Sequence, residues 1–178
     1  MPPRYGTEHL PADKESRFTA FVEDERDWLG RLAVMLIGDR HAAEDLLQET
    51  LVRTYLAWDR IEEATAFAYA RRVMTNLATD RWRRSRRDPL SGHEAESDTD
   101  PQSGDQYSSV DDRDAIVRQL AGLSTRERTM VVLRYYADLS EAEVAEEMGV
   151  SRGTVKSTCS RALSRLRSQE PQPTESPR

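Results

Sequence analysis

The stretch from Asp88 to Asp114 limits what this chain can fold into. Nine acids (Asp88, Glu94, Glu96, Asp98, Asp100, Asp105, Asp111, Asp112 and Asp114) stand there against Arg113 alone, and Pro89, Gly92, Pro101 and Gly104 are set among Ser, Asp, Thr and Gln. So little apolar surface cannot offset the entropy of ordering, and a flexible acidic linker is expected over residues 88–111. On either side too little chain remains for one large core, and 37% hydrophobic against 33% charged residues over 178 positions argues the same way. The expected order is a disordered tail at 1–15, a helical unit at 16–87, the linker at 88–111, a second helical unit at 112–168 and a disordered tail at 169–178. The fold class is all-α, with two small helical domains.

The net charge of −6 resides in that linker: residues 88–114 carry −8, which leaves the rest of the chain at +2. Overall acidity therefore does not exclude a nucleic-acid partner. Lys14 and Lys156 are the only lysines. The arginine bias suits bidentate phosphate contacts and equally reflects a GC-rich genome. No run approaches the roughly 18–20 apolar residues of a membrane span, and Met1 to Leu10 lacks a signal-peptide layout, so a cytoplasmic protein is expected. The single Cys159 and the scattered His9, His41 and His93 offer neither a disulfide nor metal-ligand spacing. No P-loop, metal-binding carboxylate pair or Ser/His/Asp constellation is present in the sequence, so no enzyme, cofactor or metal is expected.

Apolar periodicity predicts helices only. Phe18, Phe21, Val22, Trp28, Leu29, Leu32, Met35 and Leu36 share one side of a helix that ends at Gly38. From Ala42 to Trp58 the set Leu46, Leu47, Leu51, Tyr55, Leu56 and Trp58 forms a broad inward stripe, leaving Glu44, Asp45, Gln48, Glu49 and Arg53 for another face. A third helix runs from Thr65 to Arg84 on Ala66, Ala70, Val73, Met74, Leu77 and Ala78, and leads into Arg81, Trp82, Arg83, Arg84, Arg86 and Arg87.

The best-specified local signal is a helix-turn-helix between Glu141 and Leu163. Ser140 with Glu143 forms a capping box. Val144 and Met148 face inward, Ala145 admits a close neighbour, and Gly149 can take the left-handed conformation that ends the first helix. Val150 plugs the core. Ser151 caps a second helix, which buries Val155, Cys159, Ala162 and Leu166 at spacings of four, three and four. Its opposite face carries Arg152, Lys156, Ser157, Ser160 and Arg161, a helix suited to a major groove with Arg152 on the backbone. A helical hairpin with a merely solvated basic face is the alternative. A preceding helix opens on a capping box of Ser124 and Glu127 and carries Met130, Val131, Leu133, Arg134 and Tyr135.

In the first half, Ala43 to Thr50 presents an acidic and amide face with no obvious partner in the chain, suited to a basic protein surface or simply to water. The arginine run from Arg81 to Arg87 suits a phosphate backbone, with Trp82 either stacking on a base or filling the core.

Phe18 to Ile37, Ala43 to Thr50 and Arg72 to Arg84 together resemble region 2 of extracytoplasmic-function (ECF) RNA polymerase sigma factors, group 4 of the sigma-70 family. Leu123 to Arg128, continued through Arg167, resembles their region 4. Both resemblances occur in the expected order, with only an acidic linker between them. The resemblance implies a non-enzymatic subunit that binds the polymerase core and directs promoter recognition, promoter melting and initiation. It implies that Asp45, Leu46, Gln48 and Glu49 dock on the clamp helices of the largest subunit, and that the second subunit's flap is a further contact. It also implies that residues 59–76 meet the non-template strand at the minus 10 element. There Asn76 is the pocket residue for a flipped base, or else a solvent-facing amide, and Arg71, Arg72, Arg81, Arg83 and Arg84 hold phosphates. The minus 35 element falls to Arg152, Lys156, Ser157, Ser160 and Arg161. Thr158, Cys159 and Ser160 depart from the bulkier residues often found in that helix, so no relative's minus 35 sequence can be carried over. Members of the family are often held by an anti-sigma factor, for which the sequence shows no dedicated site.

A linker of about 25 residues spans on the order of 25–30 Å as a random coil, enough to make the second promoter contact effectively intramolecular. The acidic linker could also mimic nucleic acid or screen the arginines. Two rivals are an autonomous helix-turn-helix regulator that binds duplex DNA without core polymerase, and a protein-interaction adaptor whose charges are only solvated.

Overall fold

The computed structural model describes residues 13–87 and 111–169. The expected linker and the expected tails lie almost entirely outside those residues. Helix α1 spans Lys14–Ile37, α2 Arg40–Ala57 with a 3-10 turn at Trp58–Arg60, and α3 Glu63–Arg87; α4 spans Asp111–Ala121, α5 Thr125–Val131, α6 Glu141–Met148 and α7 Arg152–Gln169. No strand occurs among the described residues.

Local chemistry fixes the ends of these helices. Asp13 accepts from the Ser16 amide at 2.8 Å and Asp39 from the Ala42 amide at 2.7 Å, so α1 and α2 each begin two residues before the expected start. Gly38 closes α1 in the left-handed region at φ 85°, its amide on the Val34 carbonyl at 2.7 Å. Both expected capping boxes are present. Ser124 and Glu127 open α5, and Ser140 and Glu143 open α6. Gly149 ends α6 at φ 63°, and Ser151 accepts from the Thr154 amide at 3.1 Å to start α7.

The first three helices pack around Leu29, Leu32, Leu36, Leu46, Leu47, Ala70, Met74 and Leu77, all buried. Small residues let α2 and α3 sit close. Thr50, Thr54, Thr75 and Thr79 hide their hydroxyls on carbonyls four residues back, at 2.8–3.0 Å. Phe18, Phe21, Tyr55 and Trp58 close the far end as an aromatic cluster with centroids 5.0–6.0 Å apart. In the second half α5 does not simply stop. It runs into a π-helical turn at Val132–Tyr136, where the Ala137 amide reaches the Val132 carbonyl at 3.0 Å, and Asp138 follows in the left-handed region at φ 52°. That turn aims Leu139 back into the core against Val144, Val155, Cys159 and Ala162.

Composition argued against one large core, but among the described residues the buried apolar side chains of both bundles belong to one cluster, joined along one seam. Trp28 of α1 lies against Phe67 of α3 (4.7 Å) and stacks on Tyr136 (5.3 Å, 24°), whose hydroxyl accepts from Arg31 Nε at 3.1 Å. Arg128 of α5 spans the same seam, donating to the carbonyls of Ile37, Leu120, Ala121 and Leu123. These carbonyls belong to the last turns of α1 and α4 and to the loop after α4, where helical partners run out.

Candidate polymerase and nucleic-acid interfaces

Three surfaces gather the residues singled out by sequence. The first is on α2. Asp45 and Gln48 are exposed, and Glu49 is partly so. Leu46 is not on this surface: it is 0% exposed, packed in the core of the first bundle. The helical turn that exposes Asp45 and Glu49 points Leu46 inward, so its side chain is out of reach of a partner on this face. Leu56, expected in the inward stripe, is 73% exposed, and Val52 is exposed beside it. Residues 45, 49, 52 and 56 follow helical spacing, so the acidic patch continues into an apolar one.

The acidic face also has more partners inside the chain than its sequence suggested. Glu44 pairs with Arg26 at 3.2 Å and accepts from Gln48. Glu49 pairs with Arg53 at 2.7 Å and with Arg81 at 3.2 Å. Burial pushes the Glu49 carboxyl up, but the two arginines outweigh it and hold the group below the usual carboxylate range. Arg81 donates as well to the Ala42 carbonyl at 3.0 Å, so its guanidinium ties α3 to α2. Its side chain stays 31% exposed beside these contacts.

The second surface is the outer face of α3. Asn76 is exposed, and so are Thr65, Tyr69 and Arg72, which share its face at helical spacing. Tyr69 was not singled out from sequence. Its signal was available: an aromatic seven residues before Asn76, on the polar side of an otherwise clear stripe. Arg71 does not lie on the open face. Its side chain is 15% exposed and meets Glu147 of α6 at 3.3 Å, while Arg72 faces Glu146 at 4.0 Å. A groove of about 700 Å³ runs between this face and α6, lined on one side by Arg60, Thr65 and Tyr69 and on the other by Glu143 and Glu146. The side chains of Arg83, Arg84 and Trp82 lie outside the described residues.

The third surface is the exposed side of α7. Arg152, Lys156, Ser157, Ser160 and Arg161 all face outward, and Val155, Cys159 and Ala162 are buried on the other side. Thr158 is buried as well, which removes it from any contact with a partner. Arg161 Nε donates to the Ser157 carbonyl at 3.3 Å, holding the guanidinium along the helix. Burial raises the Cys159 thiol, in keeping with a packing residue. Beside this face, Arg134 and the exposed Tyr135 line a hollow of about 270 Å³ with Lys156 and Ser160.

Two family descriptions match these halves: Sigma-70 region 2 over residues 21–88, and Sigma-70, region 4 over residues 113–166. An RNA polymerase sigma-E factor of Streptomyces avermitilis is 40% identical over 151 residues, covering 84% of this chain and 83% of that protein. The chain belongs to the extracytoplasmic-function sigma factors of the sigma-70 family. The ECF sigma factor SigL of Mycobacterium tuberculosis is 34% identical over 153 residues, covering 83% and 85% of the two chains. Among solved structures, the sigma factor RpoE of Bartonella quintana, in complex with the anti-sigma factor NepR, is 25% identical. It aligns with a TM-score of 0.59, covering 85% of this chain and 94% of that one. CnrH, in complex with the cytosolic domain of CnrY, is 20% identical with a TM-score of 0.60 over 86% of this chain and 87% of that one, a likeness of fold. As a sigma factor, this chain directs RNA polymerase to promoters. Its family is not one of catalytic enzymes, and no helix among the described residues is long and apolar enough to cross a membrane.

Proposed function

We propose that the three surfaces divide promoter-directed initiation among them. Asp45, Gln48 and Glu49, extended by Val52 and Leu56, dock on the clamp helices of the largest polymerase subunit. Tyr69, Arg72 and Asn76 capture the melted non-template strand at the minus 10 element, with Arg71, Arg83 and Arg84 on its phosphates. Arg152, Lys156, Ser157, Ser160 and Arg161 read the minus 35 duplex, and the second subunit's flap holds this half of the chain.

The observation that carries this reading is the two-sidedness of α7. Every side chain assigned to DNA faces outward, and every apolar one between them is buried. Such a helix enters a major groove without loss of its own core. The α3 face adds what strand capture needs, an exposed ring for stacking beside an amide for hydrogen bonding. Melting then follows from preferential binding of the open strand, with no hydrolysis by this chain. The protein works in the cytoplasm without a cofactor, and the complexes of its structural relatives support an anti-sigma factor as a partner.

The test is transcription from a pool of promoter fragments by core polymerase, with and without the protein and with an Asp45→Arg, Glu49→Arg double variant. Transcripts should appear only with the native protein. Duplex binding that needs no polymerase, with no stimulated transcription, would instead identify an autonomous regulator.

A further inference from the structure

We infer that Tyr135, which stands outside α7, helps set the minus 35 sequence: its ring packs against the 5-methyl group of one thymine in the major groove. The inference rests on the reading of α7 as the groove helix. That helix turns Arg152, Lys156, Ser157, Ser160 and Arg161 outward. These side chains supply charges and hydrogen bonds, with no ring and no branched apolar group among them. Thymine differs from the other bases in the groove by its methyl, which takes an apolar contact rather than a hydrogen bond. No side chain suited to that contact stands in the assigned face.

Tyr135 supplies it from the side. Its ring is 55% exposed and lines the hollow of about 270 Å³ together with Lys156 and Ser160 of the α7 face. Cys159 and Ser160 are short, so the space between the ring and α7 is left open. Arg134, Lys156 and Arg167 line that hollow against Glu141 as its one carboxylate, surroundings that suit a polyanionic duplex better than an apolar protein segment.

The ring is also held ready. Arg134 sets its guanidinium over it, 5.5 Å from the centroid, and the same guanidinium donates from Nη1 to the Leu139 carbonyl at 3.2 Å. Its chain neighbours are anchored on both sides: Leu133 is buried in the core, and Tyr136 stacks on Trp28. Between them the π-helical turn holds one residue more than an α-helical turn would, and Tyr135 is the side chain left facing out. A ring fixed in this way gives up little freedom on meeting DNA.

The full chain is assembled with core polymerase, and its preferred minus 35 element is taken from the promoter pool. Each thymine of that element is replaced in turn by deoxyuridine, which removes the methyl and keeps every hydrogen-bonding group. With the native chain one such replacement should weaken binding about fourfold, the worth of burying one methyl. Tyr135→Phe should keep that response. Tyr135→Ser, and Tyr135→Gln, which retains more of the bulk, should abolish it at that base pair and leave the response at every other position unchanged. A merely structural role would weaken binding to all these duplexes alike and leave the methyl response in place. That result would overturn the inference, as would an element without thymine, a native chain indifferent to deoxyuridine, or loss of assembly with core in both variants, which would assign the ring to a protein contact. Lys156→Ala keeps the two readings apart. Unchanged minus 35 affinity in that variant would remove α7 as the groove helix and the inference with it. Weakened affinity there, beside a methyl response that ignores residue 135, would remove the role of Tyr135 alone.

Discussion

Arg128 Nη1 donates to the carbonyl of Ile37 at 3.2 Å, across a sequence separation of 91 residues. The same guanidinium reaches the Leu120 carbonyl through Nε at 3.0 Å, so one side chain closes the ends of α1 and α4, helices from different halves. Gly38, beside Ile37, leaves room for it. A Cβ there would stand 3.2 Å from Arg128 Nη1, and the backbone is already left-handed. Burial lowers the Arg128 pKa from its usual value, but no carboxylate is paired with it among the described residues; helix C-terminal carbonyls answer its charge instead.

Replacing Arg128 by Met should destabilise the protein by about 2–3 kcal/mol, because several carbonyls lose a donor while staying partly buried. Urea denaturation measures the loss, and amide exchange should rise in the last turns of both α1 and α4. A loss confined to α4 would show that the bond to Ile37 contributes nothing.

Leu46→Ala and Asp45→Arg should separate stability from docking. The first creates a cavity in the core and costs about 2–5 kcal/mol. The second leaves thermal unfolding nearly unchanged and abolishes assembly with core polymerase, measured by co-migration in size-exclusion chromatography. Equal stability losses in both would contradict the exposed position of Asp45.

Lys156→Ala and Arg161→Ala should each weaken minus 35 binding by the assembled enzyme and reduce the slope of log affinity against log salt by about one. Ser157→Ala and Ser160→Ala should leave that slope alone and relax sequence preference instead. A salt slope that none of these substitutions changes would move the phosphate contacts off α7.

The Glu127 carboxyl yields a pH dependence. Burial raises it, but Arg165 and Ser124 overcome that and keep it below its ordinary 4.5. A depressed folded value means that the unfolded chain binds the proton more readily. The stabilisation is thus complete above pH 4.5 and fades as pH falls through the lower folded value. Glu127→Gln should be less stable than the native chain at neutral pH by about 1 kcal/mol. That gap should close on acidification, as followed by thermal melts, and a gap independent of pH would exclude the ion pair as its source.

What could be read beforehand was local. Capping boxes at Ser124 and Ser140, the glycines at positions 38 and 149, and the inward set of α7 are dictated by neighbours within a few residues, and each appears as expected. Asp39 as a cap was overlooked, which shifted α2 by two residues. The inward stripe placed Leu46 where it is buried but misplaced Leu56, which is 73% exposed. A helix crowded with apolar residues on several sides leaves its inward face undecided until its neighbours are fixed. The π-helical turn after α5 and the left-handed Asp138 answer to packing around Leu139, which no local pattern announces. Least legible were Arg71 with Glu147 and Arg128 with Ile37, partners far apart in sequence that meet only because the two bundles do.

Trp28 lies between a ring from each half, Phe67 on one side and Tyr136 on the other. An indole in that position is an optical gauge supplied by the chain itself. Were the bundles to separate, this residue would lose one neighbour and meet water, and in a chain with Trp58 and Trp82 replaced by Phe its emission would report that change with no dye attached.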